Sequence, residues 1–227
     1  MVILAIDTAL GAVAACAYDA QTDKVLASER VELQRGHAEA LVPLIERLAA
    51  DLPGRFESID QIAVTIGPGS FTGIRVGVAC ARSLGTACSV DVIGVSTLAA
   101  FAAPLVGRGD SQVACVIDAR HGNVYFECYD SGGAIIHEAA SLPVREAASL
   151  LGDSPTILAG PGASLVAIEA WSQGRKVEVG GETVSPDIAY VARLAAVAEP
   201  SDALPQPFYL RAADTSPPAP SLALAPT

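Results

Sequence analysis

The stretch GPGSFTGIRVGVACAR, residues 67–82, decides the fold that we predict, because it joins an apolar run to a helical one. The run before it, Gln61–Ile66, is typical of a buried strand. Proline fixes one backbone angle and the flanking glycines are free to take unusual ones, so Gly-Pro-Gly predicts a sharp turn from strand to helix. Ser70 or Thr72 is suited to cap that helix.

Two glycines, Gly73 and Gly77, lie four residues apart inside this predicted helix. Each costs a helix interior about 1 kcal/mol relative to alanine. A helix that carries two of them on one face needs another backbone close to that face. The spacing leaves two interpretations open: close packing on the protein's own sheet, or a partner helix docked there.

Upstream of this stretch the sequence predicts three strands and one helix. The strands are Val2–Ile6, Ala12–Tyr18 and Lys24–Val31. Leucine and isoleucine then recur at the i, i+3, i+4 and i+7 positions of an amphipathic helix, at Leu41, Leu44, Ile45 and Leu48. The helix is predicted over His37–Leu52, and Pro53-Gly54 ends it.

The second half of the chain repeats the order of elements of the first. Both halves read strand, strand, strand, helix, strand, helix, strand, helix. An aspartate ends the first strand of each half, at Asp7 and Asp118, and Gly-Pro-Gly follows each fourth strand, at Gly67 and Gly160. An internal duplication of this kind predicts two similar α/β lobes, each a mixed sheet flanked by helices, with a cleft between them.

The turn-forming stretch Gly107–Asp110 is the predicted boundary between the lobes. We assign residues 1–106 to an N-terminal lobe, 107–214 to a C-terminal lobe, and the Ser/Thr/Pro-rich residues 215–227 to a disordered tail. The last predicted helix, Ser185–Ala198, has Ser185 as its expected cap and proline at its first position. Its pattern leaves open which lobe it packs on.

Composition and charge indicate the compartment of the protein and the kinds of partner that it binds. The 227 residues carry 25 acidic and 14 basic side chains, a net charge of −11, which disfavours independent binding to nucleic acid or anionic membrane and favours a basic partner. Five cysteines without CxxC spacing indicate a reducing compartment. The first apolar run stops at Asp7 and no uncharged run is long enough to span a membrane, so we expect a soluble, cytoplasmic protein without a signal peptide.

Six motifs carry a resemblance to a known family. They are AIDTA (5–9), RGHAEALVP (35–43), GPGSFTGIRVGVACARSLG (67–85), IGVSTLAA (93–100), VIDARHGNVY (116–125) and PQPFYLRAAD (205–214). Duplicated lobes with an aspartate after each first strand resemble the superfamily of actin, Hsp70 and sugar kinases, which is built from ribonuclease-H-like lobes. Within it the chain resembles the TsaB (YeaZ) family, bacterial proteins of tRNA threonylcarbamoyladenosine synthesis.

This resemblance implies a non-catalytic subunit, a pseudoenzyme that docks a TsaD-type catalytic subunit through the first two helices of its first lobe. A TsaE-type ATPase subunit joins the assembly, tRNA is contacted only indirectly, and the same face forms a homodimer when the chain is alone. The two helices correspond to residues 37–52 and 70–88. The implied interface residues are His37, Leu41, Leu44, Leu48, Phe71, Gly73, Ile74, Arg75, Gly77, Val78 and Arg82.

The same resemblance bears on cofactors. The catalytic relatives hold a metal with an HxxxH pair, but here His37 is followed four residues later by Leu41, so we expect no metal site. Asp7, Thr8 and Asp118 correspond to a nucleotide cleft that we expect to be vestigial. We expect no resident cofactor, and weak or interface-dependent binding of ATP or ADP stays open.

Two enzyme classes remain as alternatives to the scaffold. A two-lobed ATP-dependent phosphotransferase would bind Mg-ATP tightly without a partner. An inactive homologue of a metallopeptidase would keep the fold of the catalytic relatives without their metal. Serine-nucleophile chemistry is disfavoured, because the sequence around Ser70 is not a GxSxG elbow.

Overall fold

The computed structural model describes residues 1–199 and 203–210, in which two sheets follow one another along the chain. The first sheet contains β1 (Val2–Asp7), β2 (Ala12–Asp19), β3 (Lys24–Glu32), β4 (Gln61–Gly67) and β5 (Asp91–Ser96). Its helices are α1 (His37–Ala50), α2 (Phe71–Cys88) and α3 (Thr97–Ala102), with a short 3-10 helix at Arg55–Ser58. The strand order is β3-β2-β1-β4-β5; β2 runs antiparallel to both its neighbours, while β1, β4 and β5 are parallel.

The second sheet repeats this arrangement. It contains β6 (Gln112–Arg120), β7 (Asn123–Tyr129), β8 (Ile135–Pro143), β9 (Thr156–Ala159) and β10 (Val177–Gly181). The helices α4 (Val144–Leu150), α5 (Ala163–Ser172) and α6 (Ile188–Val197) follow β8, β9 and β10 in the chain. The order β8-β7-β6-β9-β10 matches the first sheet position for position. The predicted fold class, two duplicated ribonuclease-H-like lobes with mixed sheets flanked by helices, is therefore confirmed.

The central strand β1 divides its side chains between two cores, because successive residues of a strand point to opposite faces. Leu4 and Ile6 face a core that α1 and α2 complete, while Ile3 and Ala5 face the other side of the sheet. All four are fully buried. Inward residues of the two helices pack on the first of these cores: Leu41, Leu44, Ile45 and Leu48 from α1, and Ile74, Val78 and Ala81 from α2.

The last helix crosses from the second lobe to the first. Ile188 and Val191 of α6 pack with Ile3 and Ala5 on the face opposite α1 and α2. The lobe boundaries stay a prediction, but the contacts of α6 extend across them. The predicted cap of this helix is wrong: the carboxylate of Asp187, rather than the hydroxyl of Ser185, accepts the amide hydrogen of Ala189, at 3.0 Å.

Residues 203–210, which we name the C-terminal segment, also return to the first lobe. The amide of Phe208 donates to the carbonyl of Ile66 at 2.7 Å, and Pro205 lies against Gly94 in β5. The stretch predicted to be a disordered tail, 215–227, lies outside the described residues. No helix among residues 1–199 and 203–210 is both long enough and apolar enough to cross a membrane.

Contacts through α3 hold the two lobes together. Leu98, Phe101 and Leu105 pack against Val113 and Cys115 of β6 in one continuous core. The hydroxyl of Ser96 caps α3 by accepting from the amide of Ala99. With the lobes joined on this side, the ends of β1 and β6 lie on either side of a cleft.

Candidate functional site

A cleft of about 790 Å³ opens between the two lobes. One wall is the turn after β1 together with the first residues of α2, and the other is the end of β6. The C-terminal segment forms part of its rim through Phe208, Tyr209 and Leu210. Further lining residues include Leu10, Gly11, His37, Ser70, Phe71, Asp118, Arg120 and Tyr125.

Asp7 lies beneath this cleft rather than in its wall. Its side chain is fully buried, and Oδ1 accepts hydrogen bonds from the Ala9 amide at 3.0 Å and from the Thr65 hydroxyl at 2.5 Å. Oδ2 has no hydrogen-bond partner among the residues described. Burial raises the pKa of Asp7, against the lowering effect of the two hydrogen bonds. Leu10 and Gly11 of the turn after β1 line the cleft, whereas Asp7 does not.

Thr8 is a packing residue. Its hydroxyl donates to the carbonyl of Gly73 at 2.7 Å, and its backbone oxygen lies where a Cβ on Gly73 would sit. A Cβ on Gly77 would lie 2.5 Å from the Thr8 hydroxyl oxygen. The close backbone approach that both glycines permit is therefore made inside the chain, between α2 and the turn after β1, which is the first of the two interpretations offered by their spacing.

His37 begins α1 and lines the cleft. Its Nε2 lies 2.8 Å from the carbonyl oxygen of Leu10, and since a carbonyl only accepts, Nε2 carries the hydrogen. Leu41, one turn later, points into the core of the first lobe. Among the residues that the structure describes, no three His, Cys, Asp or Glu side chains are grouped to hold a metal ion.

Asp118 occupies the equivalent place in the second lobe but is exposed to solvent. Its Oδ1 accepts from the amide of Arg120 at 2.8 Å, and the guanidinium of Arg120 lies 3.8 Å from Oδ2. Strand β6 continues two residues beyond its predicted end at Asp118. Arg120 and His121 then take left-handed backbone angles, φ 66° and 54°, in the turn to β7. Of the three residues predicted for the nucleotide cleft, Asp118 alone lines the cleft.

The residues predicted for the partner interface divide into two groups. Most of them are buried in the first lobe's own core or against Thr8: Leu41, Leu44, Leu48, Gly73, Ile74, Gly77 and Val78. His37 and Phe71 are half-buried, while Arg75 and Arg82 are exposed. The interface stays a prediction, but only this second group has surface to offer a partner.

The helices α1 and α2 contact each other. Their outward sides together form a surface that we name the helical face. It consists of the exposed residues Glu39, Val42 and Glu46 from α1 and Arg75, Ala79, Arg82 and Ser83 from α2. Val42 is 51% exposed. The inward sides of the same helices supply the core, so the two helices can offer this face to a partner without losing their packing.

One part of the site was missed by sequence reasoning. Tyr209 of the C-terminal segment stacks on Phe71, with ring centres 4.7 Å apart, and accepts a hydrogen bond from Nε of Arg75 at 3.0 Å. The guanidinium carbon of Arg75 also lies 3.7 Å from the centre of the Phe71 ring. The motif PQPFYLRAAD was visible, but no periodicity indicated that it returns to α2.

Comparison with known proteins gives a consistent set of relatives. The family model described as "TsaD: tRNA N6-adenosine threonylcarbamoyltransferase" matches residues 27–202. The tRNA threonylcarbamoyladenosine biosynthesis protein TsaB of Escherichia coli is 34% identical over 130 residues, which cover 57% of this chain and 55% of that protein. TsaB of Bacillus subtilis is 31% identical over 139 residues, covering 61% and 59% respectively. Both alignments span less than two thirds of the relative.

Two further relatives cover more of their own length. An uncharacterized protein of Mycobacterium tuberculosis is 37% identical over 155 residues, 66% of this chain and 71% of that protein. Among solved structures, YeaZ from Pseudomonas aeruginosa superposes with a TM-score of 0.69 at 26% identity, covering 86% of this chain and 90% of that one.

Proposed function

Because the chain belongs to the TsaB (YeaZ) family, we propose that it works in tRNA threonylcarbamoyladenosine biosynthesis as a non-catalytic scaffold that docks a TsaD-type catalytic subunit. The observation that carries this proposal is the helical face. Two long helices lie side by side on one sheet, and their outward sides combine small and apolar residues with charged ones at the edges.

Two features of the first lobe support a role other than catalysis. A phosphotransferase needs a carboxylate that reaches metal and phosphate in the cleft. Asp7 is fully buried, does not line the cleft and has a raised pKa, which disfavours the charged form that such chemistry uses. His37 is bound to the Leu10 carbonyl, and the position one turn later holds the buried Leu41 rather than a second histidine.

The proposed docking mode is a four-helix contact in which α1 and α2 pack against two helices of the partner. Side-by-side helices present ridges and grooves that interdigitate with a second pair. In the proposal a TsaE-type ATPase subunit joins this complex, tRNA is bound mainly by the other subunits, and the assembly works in the cytoplasm. When the partner is absent, the same face forms a homodimer, so partner and second copy compete for one surface.

The experiment is a binding titration with a purified TsaD-type subunit. Val42→Asp places a charge in the helical face and is expected to weaken the dissociation constant at least tenfold, about 1.4 kcal/mol. Ile168→Asp is the matched control, because Ile168 is a 65% exposed apolar residue on α5 of the other lobe. Equal weakening by both variants would contradict the proposed face.

The activity of the isolated chain is the second readout. We expect no transfer of a threonylcarbamoyl group to tRNA without the partner. The phosphotransferase alternative predicts instead tight binding of Mg-ATP by the chain alone, which calorimetry measures, and loss of that binding in Asp7→Ala. Since Asp7 does not reach the cleft wall, we expect any nucleotide affinity of the isolated chain to survive this substitution.

A further inference from the structure

The guanidinium of Arg75 is held in a fixed position although it lies at the surface. Phe71, one turn earlier on α2, supports it from one side, with the guanidinium carbon 3.7 Å from the ring centre. Tyr209 supports it from another by accepting from Nε at 3.0 Å. Stacking and a directed hydrogen bond together restrict a side chain that is otherwise mobile.

The position of Tyr209 is itself fixed by the backbone. Phe208 is anchored by the hydrogen bond from its amide to the Ile66 carbonyl, 2.7 Å long. The Phe208 carbonyl lies over Gly67, where a Cβ would be only 2.5 Å from it, and Gly67 has a φ of 115° that favours glycine. The C-terminal segment can therefore lie this close to the end of β4. Its anchored backbone holds the Tyr209 hydroxyl at hydrogen-bonding distance from Arg75.

The far end of the Arg75 guanidinium has no acceptor within residues 1–199 and 203–210. Nε is used by Tyr209, which leaves Nη1 and Nη2 as a planar pair of donors. A pair of this kind matches the two oxygens of a carboxylate, and the resulting bidentate bond is stronger and more directional than a contact with lysine.

Six of the described arginines have a carboxylate within 4 Å, whereas Arg35, Arg55, Arg82 and Arg108 have none among the described residues. Arg47 binds Glu29, Arg193 binds Asp23 and Arg175 binds Asp153. Acidic side chains outnumber basic ones by 25 to 14 in this chain, so acceptors are abundant. Arg75 also has none among the described residues, and it differs from those four arginines in being held in place by Phe71 and Tyr209 at the edge of the helical face.

We propose that Arg75 is a specificity-determining residue of the helical face, which receives an aspartate or glutamate side chain of the docked TsaD-type subunit, and that Tyr209 is its positioning residue. This inference rests on the proposed function. It identifies one contact by its chemistry, a carboxylate bound end-on by Nη1 and Nη2, and it makes the C-terminal segment part of the docking surface.

The test separates the planar donor pair from simple charge. Arg75→Lys keeps the positive charge but loses the pair, and we expect the dissociation constant for the purified TsaD-type subunit to weaken about tenfold. Arg145→Lys, at an arginine on α4 of the second lobe whose side chain is 87% exposed, is the matched control and is expected to stay within about twofold of wild type. Tyr209→Phe keeps the ring but removes the acceptor, so a smaller loss of about threefold is expected.

A charge exchange gives a readout that a purely structural role would not move. Arg75→Glu is expected to abolish binding, and binding should return when the contacting acid of the partner, found by substituting its interface acids one at a time, is changed to arginine. If Arg75→Lys binds like wild type, or no such exchange restores binding, this inference is overturned while the scaffold proposal stands. If wild type itself does not bind the subunit, the scaffold proposal fails first.

Discussion

The two lobes have the same strand order and the same Gly-Pro-Gly turn, yet they place the equivalent aspartate in opposite environments. Asp7 is fully buried, with hydrogen bonds from Thr65 and Ala9, whereas Asp118 is exposed and faces the cleft. The helix after the turn also differs between the lobes. Four residues beyond the last glycine of the turn stands Gly73 in the first lobe and the buried Val166 in the second.

This difference teaches that two lobes with the same sheet can surround the end of their first strand differently. Gly73 lets the backbone of α2 rest on Thr8, and the turn between β1 and β2 closes over Asp7. In the second lobe the end of β6 stays open to solvent at Asp118. The end of β1 is packed inside the first lobe, and the end of β6 forms a wall of the cleft.

The largest expected effect comes from breaking the contact between α2 and Thr8. Gly73→Val places side-chain atoms where the Thr8 carbonyl lies, and this overpacking should lower the free energy of unfolding by about 3 kcal/mol. Urea denaturation measures the loss. Gly181→Ala in the second lobe is the control, because a Cβ there meets nothing within 4 Å, and it should change stability by less than about 1 kcal/mol. A stable Gly73→Val that fails only in partner binding would contradict this packing.

A pair of alanine substitutions compares the two aspartates directly. Asp7→Ala leaves the Thr65 hydroxyl and the Ala9 amide without their buried acceptor, at a cost of about 2 kcal/mol. Asp118→Ala removes one solvent-exposed turn contact, to the Arg120 amide, and should cost less than about 1 kcal/mol. Thermal unfolding of the two variants under one set of conditions ranks them. Equal losses would mean that the lobes use their aspartates alike.

The smallest expected effect is a dependence on pH that belongs to the first lobe. Burial raises the pKa of Asp7 above its ordinary value of 3.8, so the folded protein keeps the proton at pH values where the unfolded chain has released it. Asp7 therefore contributes most stability below about pH 4, and this contribution is lost as the pH rises through the folded pKa.

Asp7→Asn tests that dependence, because the amide is uncharged throughout and keeps an oxygen for Thr65 and Ala9. The unfolding free energy of the variant relative to wild type should rise between pH 4 and pH 7. Urea titrations at several pH values measure the difference between the two proteins. A difference that stays constant with pH would show that Asp7 is charged in the folded protein.

Much of the fold was predictable because its signals are local. The turn at Gly67, the helical period of α1 and the cap Ser70 depend on a few neighbouring residues, and all agree with the structure. The packing of α6 on the first sheet was not predictable, since its apolar pattern suits either lobe. The error at its start has a local reason: Asp187 is better placed than Ser185 to accept the free amide of Ala189.

The candidate site was predicted less completely. The helices that carry the helical face were identified, but their apolar positions were assigned to the partner when most of them face the core. Sequence spacing identifies a stripe on a helix without saying whether a sheet or another protein covers it. Tyr209 lies far along the chain from Arg75, and such a contact has no signature in either segment alone.

The crossing of α6 also has a consequence for synthesis on the ribosome. One face of the first sheet, with Ile3 and Ala5, is packed by a helix whose residues 188–197 are made only after all the strands of the second lobe. Until those residues leave the exit tunnel, that apolar face of the nascent first lobe lacks one of its covers. The lobe made first can therefore complete its folding only late, and its unfinished sheet is a natural substrate for chaperones that bind nascent chains.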